Sequence, residues 1–331
     1  MNEYIIFAIL LVLALTFAFL NGFHDSANVV ATMIASRALS PRAALLLAAA
    51  GNLVGPLIFG VAVAKTVGKD IVDPSSITIT VVIAALLAAS AWSLITWWYG
   101  IPSSSSHALV GGLVGAAIVF GGTAVIESKG LYTVVIALFT SPIIGFILAW
   151  LLLRIILWLA RGSTPRVNRT FNRLQLITSS SLALSHGAND AQKTMGVIVM
   201  GLVTLGFQTA FFVPLWVVVV NAIAIGLGTY FGGWRIIHTL GGKFYRIRPI
   251  HSLTSQAASA GVILGASLVG GPVSTTQVVS SAVVGAGASD RRNMVRWANL
   301  ADIGIAWLIT IPATAVVAAG LYLVLRLLLG P

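Results

Sequence analysis

Cysteine is absent from the chain, and only eight of its 331 residues carry a carboxylate side chain. Without thiols there is no disulfide framework and no thiol chemistry, and the redox compartment leaves no mark. Charged residues make up 8% of the sequence, against about 25% in a soluble domain. That shortage excludes a soluble fold. Also missing are weakly patterned strands of about ten residues, which excludes a membrane barrel. No basic residue precedes Tyr4–Leu20, and Glu3 stands there instead, which argues against a cleaved signal peptide. What fills the sequence is apolar: 58% hydrophobic residues and a mean hydropathy of +1.00. The apolar runs are long enough to cross a hydrocarbon core about 30 Å thick. The expected class is an all-α polytopic membrane protein.

The net charge of +11 does not imply a nucleic-acid partner, because the nineteen Lys and Arg cluster in short loops between apolar runs. Two stretches of the sequence return. "NGFHDSAN" at 21–28 recurs as "SHGANDAQK" at 185–193, placing Asp25 on Asp190 at an offset of 190 − 25 = 165. "GIPSSSSHALVGGLVG" at 100–115 recurs as "GGPVSTTQVVSSAVVG" at 270–285, offset 170, and Asn52 and Asn221 stand 169 apart between them. The halves are therefore 1–160 and 174–331, joined by the polar, Arg-rich linker "RGSTPRVNRTFNR" at 161–173. Each half reads as a first helix that runs into a polar break and a short helix (4–36, 175–201). A long span follows (41–64, 208–232), then a segment broken at Pro and Ser/Thr (76–120, 252–288) and a last span (131–160, 297–328).

Loop charge sets the relative orientation. With the linker cytoplasmic and an odd number of crossings per half, segments 37–42, 154–173, 235–248 and 291–296 lie inside and hold fourteen basic residues, Lys243 among them. Lys65, Lys69, Lys129 and Arg326 lie outside, and Lys193 sits within an apolar segment. This partition fits two inverted-topology repeats with both termini outside, and with discontinuous helices meeting at the bilayer midplane.

The broken segments read either as an anion site or as helix breaks that their Ser and Thr merely cap and pack. In "PSSSSH" at 102–107, Pro presets a helix start and Ser caps it, so a helix is expected from about Ser103. Its free N–H groups and positive dipole end suit an anion. "GPVSTTQ" at 271–277 repeats the arrangement, and inversion would bring the two helix starts together. Asp25 and Asp190 cannot hold an anion, since like charges in low dielectric repel, but they can hold a cation or proton beside it. An ionised Asp in hydrocarbon costs roughly 2.5–3.5 kcal/mol on insertion scales, so each Asp is either functional or a satisfied N-cap. Against an interior-negative potential, moving one charge costs roughly 2.3 kcal/mol per 100 mV. Phosphate at about −1.5 to −2 would face roughly 3.5–4.6 kcal/mol, which co-transported cations cancel.

At these residues the chain resembles the inorganic phosphate transporter (PiT) family of symporters. "GFHDSAN" and "HGANDAQK" are similar to its duplicated signatures, and "PSSSSHALVG" and "GPVSTTQ" to its paired Ser/Thr segments. The resemblance covers nearly the whole chain and implies a cytoplasmic-membrane phosphate importer working by cation symport. It implies phosphate binding by Ser104, Ser105, Ser106, Ser274, Thr275 and Thr276; Asn28, through its amide donors, and Lys193, which stands where many members have Asn, would join them. It gives cation-site and site-shaping roles to Asp25, Asn28, Asn189 and Asp190, and His24 joins the cation site because His titrates near neutrality. The implied cargo is phosphate with H⁺ or Na⁺, or a neutral metal–phosphate complex. No cofactor, resident metal or nucleic acid is expected, and copies of the chain itself are an alternative to a monomer. "AQK" resembles a bacterial branch regarded as proton-coupled: Lys193, three residues after Asp190, would fill a sodium position or contact phosphate. Gln277 stands where the first half has His107, so that pair is asymmetric.

His24 and His107 are either hydrogen-bonded packing residues or proton carriers, with His186 ranked behind them as a carrier. His238 and His251 are expected to be solvated near the basic 235–248 loop. Trp92, Trp97, Trp98 and Tyr99 would form an interfacial belt or wall a pocket. A hydrolase with Ser106, His107 and Asp25 as a triad fails on geometry, because adjacent helical residues point about 100° apart. A passive anion channel and a symporter of another tetrahedral oxyanion such as sulfate are the rival readings.

Overall fold

The computed structural model describes residues 2–242 and 244–329. Lys243, counted among the inside basic residues, and the C-terminal Pro331 lie outside the described residues. Among the described residues the chain forms twelve α-helices. The first six are α1 (Glu3–Ala35), α2 (Pro41–Ile58), a short α3 (Ala62–Lys65) continued by a π-helical turn (Thr66–Asp70), α4 (Ile79–Tyr99), α5 (Ser105–Gly121) and α6 (Ser128–Leu159). The second six are α7 (Val167–Thr204), α8 (Leu215–Phe231), α9 (Trp234–Gly242), α10 (Pro249–Leu268), α11 (Thr275–Asp290) and α12 (Trp297–Leu329). Six of them (α1, α2, α4, α5, α6 and α12) are long and apolar enough to cross a membrane. A seventh span is available if α8 and α9, bent by 69° at Gly232–Gly233, count as one.

The expected polar breaks near 21–28 and 185–193 are not there. α1 runs unbroken for 33 residues and α7 for 38. Neither stretch contains proline, and in hydrocarbon a continuous helix satisfies every backbone group by itself. The polar side chains are therefore carried on intact helices and turned inward, where Asn21, His24, Asp25 and Asn28 are buried, as are His186, Asp190 and Lys193. α7 also begins inside the expected linker, two residues after Pro165, so Asn168–Arg173 form its first turns rather than loop, with Phe171 buried among them.

The breaks at the Ser/Thr segments are where local chemistry places them. α4 stops at Gly100, which takes φ +65°, and Pro102 follows. α5 then starts under the N-cap Ser104, whose hydroxyl accepts from the His107 N–H at 3.1 Å. α10 stops before Gly270 at φ +78°, Pro272 follows, and the Ser274 hydroxyl caps α11 through the Gln277 N–H at 3.3 Å. Left-handed glycine, proline, then serine is a stop, a spacer and a start.

The packing is reciprocal. α6 lies against α11, with Gly285 pressed on the Phe146 carbonyl, and α12 lies against α5, with Gly115 on the Ala315 carbonyl. α1 packs on α8 through Gly22 at Ile225 and Gly228 at Phe19, while α2 packs on α7 through Gly187 at Asn52 and Gly55 at Leu184. At each contact a β-carbon would collide with backbone, and such small-residue approach is the usual glue between membrane helices. These contacts also correct the repeat register. Phe19 and Leu184 differ by 165, as expected, but Gly55 and Gly228 differ by 173, as do Asn52 and Ile225. Ile225, not Asn221, therefore stands where Asn52 does. The difference, 173 − 169 = 4, is one helical turn, which keeps Asn221 on the same face and makes the wrong match easy.

Candidate functional site

α1 and α7 carry their polar stretches to the place where α5 and α11 begin. Thr275, at the start of α11, lies between both aspartates: its hydroxyl oxygen is 3.5 Å from Asp25 Oδ2 and 3.2 Å from Asp190 Oδ2. Ser105, at the start of α5, reaches Asp25 Oδ2 at 3.4 Å. Thr276 donates to Asp25 Oδ1 at 3.1 Å and accepts from the Asn28 amide at 3.0 Å. Ser106 donates to the Val273 carbonyl at 2.8 Å and so ties one helix start to the other. Both starts therefore face one centre, as the repeated motifs predict, and it is closed to solvent: Ser105, at 6% exposure, is its most accessible member.

The two carboxylates have different company. His24 Nδ1 lies 2.8 Å from Asp25 Oδ1, and its Nε2 faces the hydroxyls of Thr96 at 3.3 Å and Ser103 at 3.5 Å. Asp190 Oδ1 is gripped by the Lys193 ammonium at 2.5 Å, with both side chains at most 1% exposed. The i, i+3 approach expected from the spacing is thus made.

His186 stands closer to the centre than its ranking implies. Its Nδ1 lies 3.1 Å from Asn52 Oδ1, while the Asn52 amide nitrogen donates to Thr229 at 2.7 Å. Asn52 Oδ1 is then an acceptor, so His186 Nδ1 must carry the proton. In neutral imidazole the other nitrogen, Nε2, offers a lone pair, and it lies 3.2 Å from Asp190 Oδ2. Two acceptors face each other there, an arrangement that calls for a proton or a cation. Ligand atoms of Asp25, His186 and Asp190 all lie within 4.8 Å of one another, so these three could hold a metal ion. The spacing of His186 and Asp190 at i, i+4 is the sign of this that the sequence offers.

Other candidates are used elsewhere. The hydroxyls of Ser104 and Ser274 act as helix caps, and Ser104 also meets His107 Nδ1 at 2.7 Å. The His107 and Phe139 rings meet at nearly right angles, with centroids 5.8 Å apart. Asn189 donates to Ser267 at 2.8 Å, leaving its Oδ1, like that of Asn28, buried without a donor. His238 is exposed as expected, but His251 is fully buried and 3.1 Å from Asp290, beside Arg248. The Asp290 carboxylate at the end of α11 draws that ring in. Of the aromatic group, Trp98 and Tyr99 are exposed, while Trp92 donates to Thr310.

A groove meets each break. A cavity of about 520 Å³ lined by Lys69, Asp70, Glu127 and Lys129 reaches Gly270 at the α10–α11 break. At the α4–α5 break a smaller cleft of about 160 Å³ reaches Gly100 and Pro102. There α9 holds the end of α4: Arg235 bonds the Trp98 carbonyl and stacks over Trp97 and Trp98, and Thr239 donates to the Gly100 carbonyl at 2.9 Å.

The profile of the phosphate transporter family matches residues 21–165 and 160–318. A protein of Bacillus subtilis named "Probable low-affinity inorganic phosphate transporter" is 46% identical, across 99% of this chain and 100% of its own length. One of the same name from Rhizobium meliloti is 45% identical, across 95% and 94%. A solved structure named "The sodium-dependent phosphate transporter" superposes with a TM-score of 0.90 at 26% identity, covering 98% of this chain and 100% of that one. All-helical, with several apolar spans and matched along nearly its whole length, the chain is a multi-pass membrane protein that belongs to the phosphate transporter family.

Proposed function

We propose that the chain imports inorganic phosphate across the cytoplasmic membrane by cation symport, with protons favoured over sodium. One observation carries this reading. Hydroxyls from the starts of α5 and α11 meet a carboxylate pair, and an ammonium already holds one member of it. The helix starts and hydroxyls suit the anion: Ser105, Thr275 and Thr276 bind it, with Ser104, Ser106, Ser274 and Asn28 supporting them. Asp25 and Asp190, with Asn189, His24 and His186, hold the coupling cation. Lys193 fills the position beside Asp190 that sodium would take and lends its charge to the anion. Asp25, with Asn28 in place of a lysine, is left for the proton. A divalent metal travelling with phosphate would use the same Asp25–His186–Asp190 group.

The reciprocal packing supports two inverted repeats, with the joint near Ser163 cytoplasmic and both termini outside. Labelling single cysteines in a chain that has none tests this directly. An impermeant reagent should modify a cysteine at Asn2 in intact cells, and one at Ser163 only after permeabilisation. The reverse pattern refutes the orientation.

Sodium coupling is the second reading, favoured by the sodium dependence in the name of the solved neighbour. Radiolabelled phosphate uptake into proteoliposomes, under separately imposed pH and Na⁺ gradients, decides between them. Uptake that follows the Na⁺ gradient at constant pH and ignores the pH gradient overturns the proton assignment. Absence of phosphate uptake under both overturns the function.

A further inference from the structure

The two carboxylates of the site differ in what they have left to offer. Asp190 Oδ1 is taken by Lys193 at 2.5 Å, and its Oδ2 faces His186 and Thr275 at 3.2 Å each. Asp25 Oδ1 is held by His24 at 2.8 Å and Thr276 at 3.1 Å. Among the described residues, Asp25 Oδ2 has only the Ser105 and Thr275 hydroxyls, at 3.4 and 3.5 Å, the outer limit of a hydrogen bond. The least satisfied carboxylate oxygen thus lies where α5 and α11 begin.

We propose that Asp25 is the residue by which this site tells phosphate from sulfate. It does so as a carboxylate, before the coupling proton is taken up, by accepting a hydrogen bond from the hydroxyl that phosphate still carries near neutral pH and sulfate does not. The proposal rests on the phosphate reading above and adds a selectivity to it.

Both hydroxyls can rotate from Asp25 onto an arriving anion, because each has one hydrogen to give. That rotation strips Asp25 Oδ2 of its donors. Asn28 Oδ1, joined to Asp25 through the Thr276 hydroxyl, is already buried without a donor. A tetrahedral anion seated between the helix starts must therefore turn a proton towards this wall. Hydrogen phosphate has a P–OH to turn, and arsenate carries the equivalent hydroxyl. Sulfate has none, so its oxygen meets a carboxylate oxygen in low dielectric and the repulsion is unrelieved. Lys193 attracts either anion and does not discriminate. Sites that hydrogen-bond a substrate hydroxyl reject analogues lacking it by about 10⁴–10⁵ in the best cases, and a buried acceptor left without its donor loses affinity by itself.

Competition against radiolabelled phosphate on the purified protein near neutral pH tests this, with arsenate, sulfate and monofluorophosphate as probes. Monofluorophosphate has the charge and shape of monohydrogen phosphate with fluorine in place of the hydroxyl, so it isolates the proton. Arsenate should compete about as well as phosphate, while sulfate and monofluorophosphate should be weaker by about a hundredfold or more. Asp25→Asn replaces the acceptor with an amide that can donate, and the gap should close to less than about tenfold. Sulfate or monofluorophosphate matching arsenate on the wild-type protein overturns the proposal. So does an Asp25→Asn protein that binds phosphate and keeps the gap. If that variant binds no anion, the wild-type ranking of monofluorophosphate decides alone. Wild-type protein that holds no phosphate at all refutes the transport reading itself, so the two failures are told apart.

Discussion

Asp25 and Asp190 occupy matching places on α1 and α7, yet their neighbours differ at every polar position around them. At the shared offset of 165, the position of His24 is taken by Asn189, that of Asn28 by Lys193, and that of Asn21 by His186. The scaffold treats the halves alike, with paired glycine contacts and paired serine caps. The electrostatics does not. One carboxylate is neutralised within the chain, and the other is surrounded by hydroxyls and an imidazole whose protons can be rearranged. A repeated frame can thus hold an unrepeated charge, and the difference is where coupling should reside.

The largest effects should come from the aspartates, and they should differ in kind. Asp25→Asn is expected to abolish concentrative phosphate uptake while the protein keeps its elution profile and melting temperature, because an amide keeps the shape. Asp190→Asn should also abolish uptake, but it strands a buried ammonium, so it should cost about 3–5 kcal/mol of stability as well. Adding Lys193→Asn to Asp190→Asn should recover that stability without restoring uptake. Equal stability of the two single variants in a thermal melt would erase the distinction drawn between them.

Next in size is Lys193→Asn alone, which gives the second half the first half's pattern. Uptake driven by a pH gradient should weaken severalfold, and a dependence on Na⁺ should appear. Wild-type behaviour under both gradients would mean that Lys193 plays no part in choosing the ion.

The smallest effects test the frame itself. Gly115→Val and Gly285→Val each push a side chain into the backbone of the opposite half's last helix, at Ala315 and Phe146. Each should destabilise by about 1–3 kcal/mol, and the two should match in a melting experiment. A large inequality would say that the likeness of the halves is only one of sequence.

Much of this is legible in the residues. The doubled Asp, the Gly–Pro–Ser/Thr punctuation and the Lys193–Asp190 spacing each name a local geometry that hydrocarbon enforces. Three things are not. Polar residues at 21–28 and 185–193 look like a break, because residue type does not say whether a polar run leaves a helix or merely faces inward. Asn221 pairs with Asn52 by eye but stands one turn out of register, since positions four apart share a face. Nor does the sequence show the partners of Asn52, Thr96 and Ser103: Asn52 lies against His186 Nδ1, and the other two face His24 Nε2. Contacts of that kind join residues tens of positions apart, beyond the reach of periodicity.

The exchange of last helices between the halves dictates an order of assembly. α6 is complete at residue 159, but α11, against which it lies, begins only at residue 275, so 275 − 159 = 116 residues of chain separate them. At about 5–20 residues per second, α6 waits on the order of ten seconds for its neighbour. It is apolar enough to wait as a lone span in lipid. α11, with its Thr, Gln and Ser, has 16 residues and is too short to cross a hydrocarbon core about 30 Å thick by itself. The ribosome therefore delivers the receptor helix first and the dependent helix second, and nascent chains stalled before residue 275 should hold α6 in the membrane with the face meant for α11 open to lipid.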